Sequence, residues 1–237
     1  MFDDAVVCGN LLLQAMPEDV RESWWPHLQD EHMGLGEEFG QNDLLGGPFV
    51  YFPTTALVSL VHVMASGASA EVAVVGNDGA VGMAMLMGGV ASRGLSSVHG
   101  VVQSGGDAVR MPLALVRTTL ERNPVVLDVF LRYMQDLISQ MAQTAACNRH
   151  HQIEQQLCRW LLLSLDRVGG RELTMTQELI SNMLGVRREG ITTAAASLQR
   201  KNIIRYARGH ITVLDRLGLE RCACECYASL KHQLQSP

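Results

Sequence analysis

The chain contains no run near the roughly 18 uninterrupted apolar residues that a membrane-spanning helix needs, although 47% of its 237 residues are hydrophobic. That apolar content is therefore available for cores in water, either one large domain or two modest ones. The first residues lack the basic start and apolar stretch of a signal peptide. A soluble, cytoplasmic chain with no membrane partner is expected. The six cysteines are Cys8, Cys147, Cys158, Cys222, Cys224 and Cys226. None form a CxxC pair, which excludes a zinc ribbon and a thioredoxin-like motif. In a cytoplasmic chain they are expected to be reduced. No metal site is expected from this pattern, and the cofactor is left unknown. Internal repeats and low-complexity tracts are also missing.

Net basic charge is missing too, since the chain carries a formal charge of −5. Taken alone, that argues against nucleic acid. The distribution reverses the argument. Residues 1–148 hold 6 Lys/Arg against 16 Asp/Glu, whereas 149–237 hold 13 against 8. Within 187–208 there are six basic residues and one acidic residue. A basic C-terminal module behind an acidic N-terminal one fits a DNA reader with a separate control domain.

The stretch Thr174–Asp215, TMTQELISNMLGVRREGITTAAASLQRKNIIRYARGHITVLD, carries the most specific pattern. Thr176 or Thr174 caps a first helix whose apolar face is Leu179, Ile180 and Met183. Gly185 follows where a sharp turn requires a left-handed backbone. A second helix opens with Arg187, Arg188 and Glu189 and buries Ile191, Ala194, Ala195 and Leu198. Helix, glycine turn and a helix with a charged N-terminal end predict a helix-turn-helix, whose second helix enters the DNA major groove. Strands Ile203–Tyr206 and His210–Val213, joined across Ala207-Arg208-Gly209, predict a basic wing.

In chain order, residues 8–32 suggest short helices. Leu11, Leu12, Leu13 and Met16 precede Pro17 at a helix start, and Val20, Trp24 and Leu28 follow at helical spacing. The tryptophans are read as packing anchors. From Gly34 to Met111 glycine recurs between short β-branched runs, Phe49–Phe52, Ala56–Met64, Glu71–Val75, Ser96–Gln103 and Ala108–Met111. Many short strands between turns predict a β-barrel or jelly roll. No helix-length periodic segment separates them, which excludes a nucleotide-binding βαβ fold. Pro112 is placed at the N1 position of a helix Leu113–Arg122, and Asn123-Pro124 as cap and N1 of a longer helix to about Cys147. Leu127, Phe130 or Leu131, Met134, Leu137 or Ile138, Met141 and Ala145 lie on it at alternating three- and four-residue spacing, a candidate dimer seam. Asn148-Arg149-His150-His151 is read as a hinge. A helix Gln152–Val168 follows, with Ile153, Leu157, Trp160, Leu161, Ser164 and Leu165 on one face. Asp215–Leu234 is expected to be one closing helix capped by Asp215, using Leu217, Leu219, Cys222, Cys226 and Leu230 for packing.

This order of parts resembles the Crp/Fnr family of bacterial transcription regulators. The resemblance rests on VYFPTTALVSL (50–60), EVAVVGNDGAVG (71–82), AACNRHHQIEQQLCRWLL (145–162), LTMTQELISNMLGVRREGIT (173–192) and RGHITVLDRLGLERCACECY (208–227). It implies an α+β fold: a cyclic-nucleotide-binding-type β-roll over 1–122, a dimerisation helix and hinge over 123–148, and a winged helix-turn-helix over 149–237. It implies a homodimer, and double-stranded DNA and RNA polymerase as partners. By the same resemblance Arg188 and Glu189 read base edges, which suits their chemistry: Arg to guanine, Glu to the cytosine amino group. Thr193 stands where the family often has a second Arg, so the family's usual half-site does not transfer. Arg187 and Thr192 are neighbours placed with Thr193 among the base-reading residues and able to touch base or phosphate, and Arg208 and Thr176 are phosphate contacts.

The family's cyclic-AMP binders pair Gly with Glu for the ribose and Arg with Ser or Thr for the phosphate. Here Met83 follows Gly82, and Gly94 follows Arg93. Without those anchors cyclic AMP is not the expected ligand. Arg93, Ser96 and Ser97 remain as the candidate effector pocket for another anion. Cys8 stands alone, so a four-cysteine iron–sulfur cluster in the N-terminal half is excluded. His27, His62, His99 and Cys8 are the available haem ligands, without diagnostic spacing. Met83, Met85 and Met87 alternate as on one strand face and are read as core filling rather than as copper ligands. Cys222 and Cys226, at i and i+4, share a helix face and could chelate or oxidise together, but are read mainly as packing against the wing. A non-enzymatic regulator is thus expected, and a redox-, metal- or haem-linked sensor is the alternative on the same scaffold. A cupin-like enzyme needs a His/Glu metal constellation, for which His62 and Glu71 are too sparse.

Overall fold

The computed structural model of the protein describes residues 9–39, 49–82 and 98–235. Two short helices, α1 (Leu11–Gln14) and α2 (Glu18–Trp24), precede a 3-10 turn at Trp25–His27. Asn10 caps α1 and is completely buried. Its Nδ2 donates to the carbonyls of Pro53 (2.8 Å) and Gly79 (2.9 Å), and its Oδ1 accepts from the Leu13 amide. Every polar atom of this side chain is therefore satisfied away from water, as a buried amide requires.

Among the described residues seven strands follow, β1 (Gln29–Met33), β2 (Glu38–Phe39), β3 (Phe49–Pro53), β4 (Leu57–Val63), β5 (Ser69–Val75), β6 (Val98–Ser104) and β7 (Gly106–Pro112). They form two sheets, ordered β1-β7-β3 and β2-β6-β4-β5. Strands β1 and β3 both run antiparallel to β7, with Asp30 opposite Val109 and Phe52 also opposite Val109. The core beneath them contains Leu13, Trp24, Val50, Phe52, Val109, Met111, Val116 and Phe130. Trp24 packs against Phe52 and Phe130, and its indole N–H donates to Thr119 Oγ1 at 3.0 Å.

Helix α3 (Leu113–Arg122) begins one residue after the proline expected at its first position. Pro112 closes β7, and its ψ of 125° is extended rather than helical. Helix α4 (Pro124–His150) is capped as expected, with Asn123 Oδ1 accepting from the amides of Val125 and Val126. It continues through Asn148, Arg149 and His150, so the expected four-residue hinge is reduced to the single step at His151-Gln152. There Gln152 forms a reciprocal capping box with Gln155 and starts α5 (Ile153–Val168). Helix α5 is buried over more than the predicted face, taking in Cys158, Arg159, Leu162, Leu163 and Arg167.

The remaining elements are β8 (Glu172–Thr174), α6 (Gln177–Leu184), α7 (Arg188–Arg200), β9 (Ile204–Ala207), β10 (His210–Val213), α8 (Arg216–Cys222) and α9 (Cys226–Gln235). Strands β8, β10 and β9 form a small antiparallel sheet in that order. The single closing helix expected from Asp215 to Leu234 is in fact two. Asp215 caps α8 through the Gly218 amide (2.8 Å), but the backbone turns extended at Ala223 and a new helix starts at Cys226. Leu217, expected to pack, is 66% exposed.

By contacts the chain divides into two compact units. One comprises 1–60 and 74–138, and the other 61–73 and 139–236. In the second, the buried Trp160 donates through Nε1 to the buried Glu71 carboxylate at 3.1 Å. That contact gives Glu71 a structural partner. No described helix is long and apolar enough to cross a membrane.

Candidate nucleic-acid interface

Helix α6 starts at Thr176, whose Oγ1 accepts from the Leu179 amide at 3.1 Å. Of the two threonines considered, Thr176 is thus the cap. Ile180, Met183 and Leu184 are buried, and Leu179 is half-buried. Gly185 ends the helix in the left-handed region, at φ 63° and ψ 32°. The Val186 amide returns to the Ser181 carbonyl at 3.0 Å, which satisfies an orphan carbonyl of the last turn.

Arg187 occupies the N-cap of α7 in an extended conformation and provides no side-chain cap. Ile191, Ala194, Ala195 and Leu198 are buried, as the periodicity predicts. Arg188, Glu189, Thr192, Thr193, Ala196 and Gln199 are exposed and form one continuous stripe. The two threonines within it are partly committed. Thr192 Oγ1 donates to Gln177 Oε1 (2.8 Å) or to the Arg188 carbonyl (3.1 Å), and Thr193 Oγ1 donates to the Glu189 carbonyl (2.9 Å). Thr192 therefore sets α7 against the start of α6. Its Gln177 partner was not singled out from the sequence, because no local pattern distinguishes an interhelical Gln from a solvated one.

The wing hairpin is tighter than expected. Strand β9 extends to Ala207, leaving Arg208 (φ 51°) and Gly209 (φ 81°) as a two-residue loop. Positive φ at both central positions is the type I′ pattern that matches strand twist. It puts exposed Arg208 at the tip. Tyr206 ties this hairpin to its neighbours. Its amide donates to Gln199 Oε1 (3.0 Å), and its hydroxyl donates to the Met175 carbonyl (2.8 Å). Burial raises the phenol above its usual range, against an opposing pull from Arg188, so it remains a donor at neutral pH.

On α4 the expected seam separates into two faces. Phe130 and Leu137 are buried within the chain itself, at 2% and 8% exposure, so they do not line a surface for a second copy. Leu127, Leu131 and Ile138 are 40%, 54% and 59% exposed. Met134 and Met141 are half-buried. The candidate effector residues Arg93, Ser96 and Ser97 lie outside the described residues, as do Cys8, Met83, Met85 and Met87 and the side chain of His99.

A second constellation went unrecognised in the sequence. Cys147, His151, Cys224 and Cys226 bring one ligand atom each to within 4.8 Å of one another. The i, i+4 pairing of Cys222 with Cys226 fails, because the helix breaks between them. The Cys147 hydrogen bond lowers the Cys224 thiol to about 5 against the effect of burial, and the same bond, with burial, raises Cys147. The available signal was the i, i+4 spacing of Cys147 and His151 together with the CxC of Cys224 and Cys226.

A capped helix, a left-handed glycine turn, a second helix exposing a charged stripe and an adjoining hairpin define a winged helix-turn-helix, here in a chain that also holds a two-sheet β-roll. Residues 155–222 match the Crp-like helix-turn-helix domain. The fold is that of Crp/Fnr-type transcription regulators. A putative Crp/Fnr-family transcriptional regulator from Eubacterium rectale superposes with a TM-score of 0.69 over 91% of this chain and 98% of its own, at 17% identity. FixK2 from Bradyrhizobium japonicum gives 0.67 over 83% and 98%, at 13% identity. The c-di-GMP-responsive global regulator CLP of Xanthomonas campestris gives 0.64 over 83% and 99%, at 11% identity. At these identities the likeness is one of fold. No curated protein matches the chain.

Proposed function

We propose that the protein is a homodimeric, sequence-specific DNA-binding transcription regulator that reads a palindromic duplex. The observation that carries this reading is the exposed stripe at the start of α7, Arg188 to Thr193, set by Thr192 against Gln177. Arg188 and Glu189 supply the guanine and cytosine chemistry of direct readout. With its hydroxyl proton turned back to the helix, Thr193 offers a methyl group, which suits a thymine methyl better than a phosphate. Arg187, and Arg208 at the wing tip, hold the backbone, and Thr176 adds a hydroxyl at the N-terminus of α6.

The exposed apolar stripe Leu127, Leu131 and Ile138, continued by Met134 and Met141, has the four-three spacing of a helix pair and supports dimerisation. Two-fold pairing then presents two copies of α7 to two half-sites. RNA polymerase is the further partner an activator would engage, and the cytoplasm is where both would be met. Cyclic AMP is not the effector, because Met83 and Gly94 stand where its ribose and phosphate anchors would be. That a protein of the same fold is described as c-di-GMP responsive supports looking for an effector other than cyclic AMP.

Selection from random duplexes tests the reading. We expect a palindromic sequence to emerge, bound with an affinity that falls steeply with salt. Equal binding to all duplexes at every salt concentration would overturn it.

A further inference from the structure

The four residues Cys147, His151, Cys224 and Cys226 have no part in reading DNA, yet the fold goes to some length to assemble them. Cys147 lies in the last turn of α4, and His151 follows one turn later. The His151 amide bonds the Cys147 carbonyl at 3.0 Å, and its carbonyl accepts from the buried Gln156 side chain at 2.8 Å. Cys224 and Cys226 come from the break between α8 and α9, 77 residues away from Cys147 in the case of Cys224. The three thiols are 0%, 5% and 1% exposed.

We propose that these residues form a closed Cys3His site for a single divalent transition-metal ion of the zinc type. Metal–sulfur bonds of about 2.3 Å and metal–nitrogen bonds of about 2.0–2.1 Å in a tetrahedron place neighbouring ligand atoms about 3.5–3.8 Å apart. The Cys147 and Cys224 sulfurs are 3.6 Å apart, and Cys226 Sγ lies 3.5 Å from His151 Nδ1. The longest separation, within 4.8 Å, closes to that edge with about 1 Å of side-chain movement. In an iron–sulfur cluster the four protein ligands are divided between two or four irons, so the full set of ligand atoms stands much farther apart. The spacing here suits one ion.

Three surrounding groups point the same way. His151 offers Nδ1 inward while its Nε2 meets the Glu225 carboxylate at 3.2 Å, the outer carboxylate partner typical of a metal-bound histidine. Glu225 is the residue between the two ligand cysteines. Gln143 Nε2 donates to Cys226 Sγ at 2.8 Å, a contact that favours thiolate over thiol. Three thiolates, a neutral imidazole and a divalent ion carry one net negative charge. Arg159, 3% exposed and near enough to act on the charge of Cys147, supplies a positive one. Its Nη1 donates to Thr144, while its Nε has no hydrogen-bond partner among the described residues. Four protein ligands leave no open position, which makes the site structural rather than catalytic. Binding releases the protons of the thiols and ties the end of α4 to the α8–α9 break.

The test uses the full chain in reducing, anaerobic buffer with Co2+ and Zn2+ as probes. We expect one Co2+ per chain with thiolate charge-transfer and four-coordinate ligand-field bands, displaced by Zn2+. Cys222→Ser should keep the spectrum, whereas Cys147→Ser and Cys226→Ser should lose it. Glu225→Gln, at an exposed position, should fold normally and bind about 10–100-fold more weakly. Six-coordinate cobalt alone, or an unchanged spectrum in a Cys147→Ser/Cys226→Ser double variant, overturns the site. Unchanged affinity in Glu225→Gln overturns ligation by His151. DNA affinity is not a readout, so failure here leaves the regulator reading intact.

Discussion

Arg188 and Arg208 carry the same charge in different backbone settings, and the difference separates their predicted roles. Arg188 is in the first turn of α7, beside Glu189 and one turn before Thr192, on the stripe that faces outward. Arg208 stands at the tip of a two-residue loop, attached to no helix. Arg188→Ala is expected to cost about 1–3 kcal/mol on the selected duplex and to relax one base position. Arg208→Ala is expected to weaken all duplexes alike and to reduce the salt slope by about one. Filter binding or anisotropy on specific and random duplexes at several salt concentrations separates the two. Equal losses on both duplexes for Arg188→Ala would remove it from base reading.

The strands and helices divide by how much of their pattern lies in side chains. Strands β3 to β7 were legible because glycines set apart their β-branched runs. Helix α7 was legible because Ile191, Ala194, Ala195 and Leu198 repeat at the helical period. Strand β1, QDEHM, falls by sequence within a region that suggests short helices. It buries only Met33, and its place in the sheet rests on backbone pairing with β7, which side-chain pattern does not record. The sequence of the tail predicts one helix because no proline or glycine marks its break at Ala223. At the other end of the same pairing, Gly106 opens β7 where the loop at 54–56 crosses. A Cβ there would lie 2.6 Å from the Ala56 amide nitrogen and 2.7 Å from the Thr55 carbonyl carbon. Backbone on that side cannot swing away as a side chain can, and the amides of Thr54, Thr55 and Ala56 all converge on the Asp107 carbonyl. Gly106→Ala is therefore expected to destabilise the protein by about 3 kcal/mol, the upper end of overpacking costs. Urea denaturation checks this, and a loss under about 0.5 kcal/mol, the range of an ordinary surface change, would show that the crossing is not tight.

For the assembled protein, the decisive question is which side of α4 is left uncovered. Periodicity allowed Phe130 or Leu131, and Leu137 or Ile138, since neighbours on a helix differ by only about 100° and both pairs are apolar. Burial of Phe130 and Leu137 in the chain leaves Leu131 and Ile138 as the outward pair. Leu131→Asp and Ile138→Asp should each weaken self-association by about 2 kcal/mol or more, about thirty-fold in the dimer dissociation constant. Sedimentation equilibrium reads that change, and loss of the palindrome's advantage over a half-site should accompany it. Unchanged association in both variants would place the dimer contact elsewhere.

What the sequence by itself determined is local in origin: caps at Thr176, Asn123 and Asp215, the turn at Gly185, the helical period of α7 and the segregation of basic charge into the C-terminal part. Each depends on residues within a few positions of one another, so each can be read along the chain. Only the tertiary structure decided which apolar face of α4 is spent on the chain's own core, that Gln177 holds Thr192, and that Cys147 and His151 meet Cys224 and Cys226. Those choices come from packing between segments far apart in the chain, such as Trp24 with Phe130 and Cys147 with Cys224, where the free energy of burial selects among patterns that are locally equivalent.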